Sequence, residues 1–313
     1  FFSAPPPPRP FRVRTNETEV KANAMIVATG ADSRWLGVPG EYEHRGGGVS
    51  SCATCDGFLF ADQDVVVIGG GDTAMEDALV LARTSKTVTV IHRRDKFRAS
   101  KVLAERVLSH EKIKVVWDTE VVEFVGKRVR VMPNGLTVEI GEDGKPVLED
   151  FSKLRVKEVQ KRLDAAGISY AGVKDKEALV KILTDAYKDA AKAGSGEDDA
   201  VVTVEEKSIL SKIKLKNKKT GDESLLACTA AFVAIGHDPN TKFVKGQVDM
   251  DANGYIKVLA GTTRTSVDGL FAAGDVADHV YRQAVTSAGT GAMAALDAER
   301  WLSEQGHCGA AAA

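Results

Sequence analysis

The stretch "DVVVIGGGDTAMEDALVLAR", residues 64 to 83, limits the fold more than any other part of the chain. Four apolar β-formers run into three glycines, and a helical pattern follows with Ala74, Ala78, Leu79 and Ala82 at helical spacing. Gly69 permits the tight turn, Gly71 lets the backbone approach a pyrophosphate, and Ala74 lets the helix pack closely. The free N–H groups and positive dipole at the helix start favour an anion there. Gly69, Gly71, Asp72, Thr73 and Ala74 are therefore candidates for holding a dinucleotide.

Other segments repeat the rhythm. "AMIVATG" (24–30), "TVTVIHRR" (87–94), "KIKVVW" (112–117), "AAFVAIG" (230–236) and "GLFAAGD" (269–275) all read as strands. A helix is expected from Ser100 to His110, and "SAGTGAMAALDAERWL" (287–302) reads as a closing helix. Strand, glycine turn, helix and strand in this order predict α/β architecture with a parallel, doubly wound sheet. At 313 residues, with 43% hydrophobic and 27% charged residues, the chain is of globular composition and long enough for about two domains. The net charge of −2 gives no bulk attraction to nucleic acid or to an anionic membrane. No apolar run approaches a membrane span.

The strand after the glycine turn ends in "VIHRRDKFR". Where NAD is used, an acid stands at this position and takes the ribose hydroxyls. Here His92, Arg93, Arg94 and Arg98 form a cluster suited to a 2′-phosphate, which points to NADPH rather than NADH.

Two of the four cysteines, Cys52 and Cys55, stand three positions apart in "SSCATCDGFLF". Zinc would need about four ligands, and Cys228 and Cys308 are isolated. So few cysteines make no disulfide scaffold, which favours a reducing compartment. A Cys-x-x-Cys pair beside a nucleotide domain is most economically a dithiol–disulfide shuttle. The adjacent Asp56 is placed to move the protons that such exchange needs. Cys228 reads as an apolar filler on a strand, Cys308 as a lone tail thiol and His237 as a domain-junction residue.

Together "CATCDG", "GGGDTA", "HRRDKFRA", "FVAIGHDPNT" and "GLFAAGDVADHVYRQAVTSAGTGAMAALDAE" resemble the low-molecular-weight thioredoxin reductases, of the pyridine nucleotide-disulfide oxidoreductase class. The resemblance implies two interleaved Rossmann-like dinucleotide-binding domains and electron transfer from NADPH through FAD and the Cys-x-x-Cys pair to thioredoxin. It implies that Cys55 faces the flavin, that Cys52 attacks the thioredoxin disulfide and that Asp56 is the acid–base group. Gly274 and Asp275 would bind the ribityl and pyrophosphate region of FAD. Arg282, Gln283 and Ala284 would lie near the isoalloxazine, and Thr29 and Gly30 would belong to the inner FAD strand. A homodimer through the FAD domain and a cytoplasmic or organelle-matrix location are further expectations. Rival readings are a flavin-dependent dithiol oxidase of the same fold, a ferredoxin-fed reductase and a non-catalytic scaffold. The basic cluster argues against the first two, since neither needs a 2′-phosphate site.

The implied organisation is an FAD domain in residues 1–33 and 242–313 and an NADPH and disulfide domain in 34–128 and 208–241. Residues 129–207 form an insertion. The opening "FFSAPPPPRPFRV" has no initiator Met, and the family resemblance begins well inside the FAD domain, so a truncated start is expected. Gly47 stands where the family often has a thioredoxin-recognising arginine, and Arg45 is the nearby substitute.

Within the insertion, "NGLTVEIGEDGKPV" predicts a hairpin with turns at Asn134-Gly135 and Asp143-Gly144. Two amphipathic helices follow, one through Val156, Val159, Leu163 and Ala166, the other through Leu179, Ile182, Leu183 and Ala186. "AAKAGSGEDDA" reads as a linker. The helical pair resembles SAP-like modules. Its lysines and arginines are diluted by Glu158, Asp164, Asp175, Glu177 and Asp185, which argues against tracking a nucleic-acid backbone and for a spacer or protein-docking role.

Overall fold

The computed structural model describes residues 10–131, 137–141, 145–147, 149–192 and 205–307. The chain divides into two compact units, residues 1–34 with 236–313, and residues 35–235. The first unit opens with an antiparallel hairpin of β1 (Phe11–Arg14) and β2 (Glu19–Ala22), then β3 (Met25–Val27) and β4 (Ala31–Ser33).

The second unit is built on a parallel sheet. Its strands are β5 (Val49–Ser50), β6 (Asp64–Ile68), β7 (Thr87–Ile91) and β8 (Ile113–Val116), with helices α1 (Ala53–Asp56), α2 (Asp72–Leu81) and α3 (Lys101–Leu108) between them. An antiparallel sheet follows, from β9 (Thr119–Val131), β10 (Thr137–Ile140), β11 (Pro146–Val147), β12 (Glu205–Asn217) and β13 (Glu223–Ala227). Helices α4 (Val156–Ala165) and α5 (Lys176–Lys192) stand between β11 and β12. The chain then re-enters the parallel sheet as β14 (Ala230–Val233), giving the order β5-β14-β6-β7-β8.

Strand alternation explains how β6 is buried on both sides. Val65 and Val67 face α2, packing with Ala74, Met75, Ala78 and Leu81. Val66 and Ile68 face the antiparallel sheet, packing with Val121, Phe124, Leu210 and Ile213. A strand covered on both faces reads as a continuous apolar run, as "VVVI" does.

Strands β9 and β12 pair along their whole length, from Thr119↔Asn217 to Val131↔Glu205, with bulges at Leu210/Lys212 and Lys214/Leu215. The helical pair between β11 and β12 has its own small core of Phe151, Val159, Leu163, Leu179 and Leu183. The predicted hairpin exists as β10 between β9 and β11, while its turn residues Asn134, Gly135, Asp143 and Gly144 lie outside the described residues. Most of the expected linker, Cys308 and the proline run also lie outside them.

The chain returns to the first unit with β15 (His237–Pro239), β16 (Leu270–Ala272) and helix α6 (Ala284–Glu304). β16 runs parallel to β3, and α6 covers Phe271 with Ala294, Ala298 and Trp301. The two alanines give the helix a low contact surface, and the Trp301 indole N–H donates to Asp268 at 2.8 Å. Among the described residues no helix is long and apolar enough to cross a membrane.

Candidate functional site

The sulfur site grows from the edge of the parallel sheet. β5 pairs with β14 (Val49↔Ala231, Ser50↔Phe232) and delivers the chain to Cys52, which has extended backbone and caps α1. A disulfide joins Cys52 and Cys55, with Cα atoms 5.3 Å apart. Cys55 N–H donates to Cys52 Sγ at 3.2 Å, and Thr54 Oγ1 lies 3.3 Å from the same sulfur. The Ser50 hydroxyl donates to Asp56 Oδ2 at 2.6 Å and accepts from Cys52 N–H at 3.1 Å. Cys52 is half-buried and Cys55 exposed. Gly57 follows the acid because a β-carbon there would come within 2.8 Å of Leu81 Cδ2 on α2.

The three glycines between β6 and α2 have three different causes. A β-carbon on Gly69 would stand 2.8 Å from that of Ala74 and would overlap the Ala234 carbonyl. One on Gly70 would overlap the His92 ring. One on Gly71 would meet no atom of the chain within 4 Å. The chain's own packing does not require glycine at Gly71; the free space over its backbone, at the N-terminus of a ten-residue helix, fits a pyrophosphate.

The basic segment is sewn to this turn. Arg98 N–H donates to Gly70 O at 2.7 Å, Ala99 N–H to the same carbonyl at 3.2 Å, and Ser100 N–H to Asp72 Oδ1 at 2.7 Å. Arg93, Arg94 and Arg98 are exposed and available to a phosphate. His92 does not join them. It is buried, its Nε2–H donates to Lys96 O at 3.0 Å, and it packs with Phe97 and Trp117. Burial, with the like charges of Arg94 and Arg93, holds its imidazole below the ordinary value against the carbonyls of Lys96 and Gly69. It braces the turn rather than presenting a cation.

In the first unit, Gly274 begins a 3-10 turn with φ +74, and Asp275 accepts from the Ser287 hydroxyl of α6 at 2.8 Å. Thr29 Oγ1 donates to Asn240 O at 2.7 Å, and Gly30 O accepts from Asn240 N–H at 2.9 Å. Arg282, at φ +49, and the cap Gln283 precede Ala284, the first residue of α6. Asp278 organises that corner, a role that sequence reasoning missed. Its carboxylate accepts the N–H groups of Val280, Tyr281 and Arg282 and the Thr286 hydroxyl. Burial opposes its ionisation, but these donors outweigh burial and hold the carboxyl below the usual range. His237 Nδ1 is buried with no hydrogen-bond partner among the described residues, and burial, helped by the like charge of Arg282, holds its imidazole below the ordinary value against the pull of Asp275. That orphaned nitrogen and the left-handed Gly30 and Gly274 fit a polar cofactor at this end of the unit.

Three other readings meet the structure here. Cys228 lies one residue beyond β13 rather than on a strand, and burial pushes its thiol up to about 12. Arg45 is exposed, with its guanidinium 3.7 Å from the Trp35 ring centroid. A side chain at Gly47 would come within 2.7 Å of Ser208 O, so β12 itself requires glycine there. Among the described residues no group of three or more His, Cys, Asp or Glu could hold a metal ion.

A nucleotide-binding glycine turn, an adjacent basic loop and a Cys-x-x-Cys disulfide in one α/β unit define a pyridine nucleotide–disulfide class of protein. Residues 9–164 and 193–291 match the Pyridine nucleotide-disulphide oxidoreductase family. A thioredoxin reductase of Mycolicibacterium smegmatis is 41% identical over 285 residues, covering 91% of this chain and 66% of that protein. One from Rickettsia conorii is 39% identical over 297 residues, covering 95% and 71%. The solved thioredoxin reductase from Giardia duodenalis superimposes with a TM-score of 0.66 at 33% identity, over 95% of this chain and 72% of that one. The chain thus spans about two thirds of the length of its curated relatives. It belongs to the pyridine nucleotide-disulphide oxidoreductase family and, within it, to the thioredoxin reductases.

Proposed function

We propose that the chain serves an NADPH-dependent thioredoxin-disulfide reductase that carries FAD. The observation that carries this reading is the Cys52–Cys55 disulfide, lying in the same unit as the glycine turn and the exposed Arg93, Arg94 and Arg98. When bound, NADPH supplies a hydride and FAD relays its two electrons to the disulfide.

The chain's own residues do the rest. The backbone at Gly69 and Gly71, with Asp72, Thr73 and Ala74 at the start of α2, receives the pyrophosphate, and the three arginines select the 2′-phosphate. Thr29, Gly30, Gly274, Asp275, Arg282, Gln283 and Ala284 hold FAD in the other unit. In the reduced dithiol, the Cys52 thiolate attacks the thioredoxin disulfide to form a mixed disulfide. Cys55 then attacks Cys52 Sγ, restoring the Cys52–Cys55 bond and releasing dithiol thioredoxin. Two electrons and two protons pass to the substrate, and Asp56 carries the protons.

Thioredoxin is thus the proposed partner, and a homodimer through the FAD-binding unit is part of the same reading. The α4–α5 pair is a spacer or docking appendage, with no role toward nucleic acid. The test is turnover. With FAD, NADPH and oxidised thioredoxin supplied, the full-length protein should generate thiols, and Cys52→Ser and Cys55→Ser should each abolish them. Thiol production that survives either substitution would refute the dithiol route.

A further inference from the structure

The Ser50 hydroxyl links the two chemical groups of the dithiol loop. Its Oγ donates to Asp56 Oδ2 at 2.6 Å and accepts from the backbone N–H of Cys52 at 3.1 Å. Ser50 itself is anchored, because it closes β5 in register with Phe232 of β14, a fully buried ring at 0% exposure. Asp56 ends a helix of only four residues, so this hydroxyl ties its carboxylate to the sheet.

The type of anchor matters. A backbone N–H or a lysine can only donate, and would favour the ionised carboxylate. A hydroxyl can donate to the carboxylate or accept from the carboxylic acid, so it keeps its partner in place through both states. An acid that takes and returns a proton in each exchange cycle needs such a partner.

We propose that Ser50 is a positioning residue for dithiol–disulfide exchange. It holds Asp56 in line for proton transfer in both protonation states and fixes that carboxylate relative to the Cys52 backbone. The inference rests on the reading of Asp56 as the acid–base group. It applies equally to the reverse direction with a small dithiol. A dithiothreitol thiolate attacks one sulfur of the Cys52–Cys55 bond, which breaks, and the departing sulfur takes a proton. The second reagent thiol, giving up its proton, attacks the mixed disulfide, closes the oxidised ring and releases the other cysteine as a thiol. Two electrons and two protons move from reagent to protein.

The experiment is the rate at which dithiothreitol reduces this chain, with no nucleotide, flavin or thioredoxin present, followed by alkylation quench and mass. At about pH 7, Ser50→Ala should slow reduction about tenfold, a part of the roughly 10²- to 10⁴-fold that a positioned acid–base group contributes. Ser50→Thr should stay within about twofold of the parent, while the shape-matched Ser50→Val should be as slow as Ser50→Ala. The double variant Ser50→Ala/Asp56→Asn should be no slower than Asp56→Asn alone, because the hydroxyl acts only through the carboxylate. The pH–rate curve of Ser50→Ala should take the shape of that of Asp56→Asn. Losses that multiply in the double variant, or Val matching Thr, would overturn the proposal. A slow Asp56→Asn beside a normal Ser50→Ala overturns this inference alone; a normal Asp56→Asn overturns the acid–base role as well.

Discussion

The imidazole of His92 fills the place where a β-carbon on Gly70 would stand, so the end of β7 and the nucleotide turn after β6 are locked together by one ring against one glycine. Gly70→Ala must push that ring aside, and overpacking of this kind costs about 1–3 kcal/mol. The urea midpoint of Gly70→Ala should fall accordingly. In a His92→Ala background the same substitution should cost less, because the obstacle is gone. Strictly additive losses in the two backgrounds would show that ring and glycine do not meet in solution.

The same burial sets a pH dependence. His92 titrates below its ordinary value when folded, so below about pH 6.5 the unfolded chain takes up a proton that the folded chain refuses. The stability due to neutral His92 is therefore full above that pH and is lost as pH falls through it toward the lower folded value. The urea midpoint should drop between about pH 7 and about pH 5. His237 is shifted the same way, so the informative quantity is the difference between the parent and His92→Phe. That difference should move against the parent as pH falls; a difference independent of pH would remove His92 as its source.

Arg93 and Arg94 should separate the two nicotinamide dinucleotides. Each charge-assisted hydrogen bond contributes about 1.5–3 kcal/mol, or about 10- to 150-fold, so replacing both with Ala should weaken NADPH binding by at least about 100-fold. NADH, without the 2′-phosphate, should change by less than about twofold. Titration calorimetry on the parent and double variant makes the comparison. Equal losses with both dinucleotides would mean that the arginines support the loop rather than the phosphate.

Local pattern made the nucleotide unit readable. The alternation of Val65 and Val67 with Val66 and Ile68 is a property of four consecutive residues, and the glycine turn and the Ala74–Ala78 helix face follow at once. What sequence could not supply is pairing at a distance. Gly70 meets a side chain 22 positions later, and nothing in "GGG" marks its middle residue for a different duty from its neighbours. Ser50 reaches Asp56 only because the disulfide loop folds back between them. Cys228 sits amid apolar residues and so reads as part of a strand, although the chain turns there from β13 into β14. The long β9–β12 ladder was hidden for a similar reason: its far end pairs Val131 with Glu205, with the whole helical module between them.

That pairing also shows where the module can be removed. Val131 and Glu205 stand opposite each other, so residues 132–204 can be replaced by an Asn-Gly turn that closes the ladder as a hairpin. The helical pair has one cluster of its own, Phe151, Val159, Leu163, Leu179 and Leu183, and a second in which Ala166 and Ala190 pack on Val138 of β10. Its ion pair to the parallel-sheet body is Lys161 Nζ to Asp62 Oδ2 at 3.6 Å, between side chains 70% and 81% exposed. An exposed pair of this kind contributes about 0–1 kcal/mol. The deletion also removes β10, with its ladder to β9 and the Lys127 Nζ–Glu139 Oε2 ion pair at 2.7 Å, so the urea midpoint should fall, while NADPH affinity and the dithiothreitol reduction rate should stay within about twofold of the parent. A marked loss of NADPH binding would show that the module supports the nucleotide turn. A marked loss of the reduction rate alone would place its support at the Asp62 end of the dithiol loop.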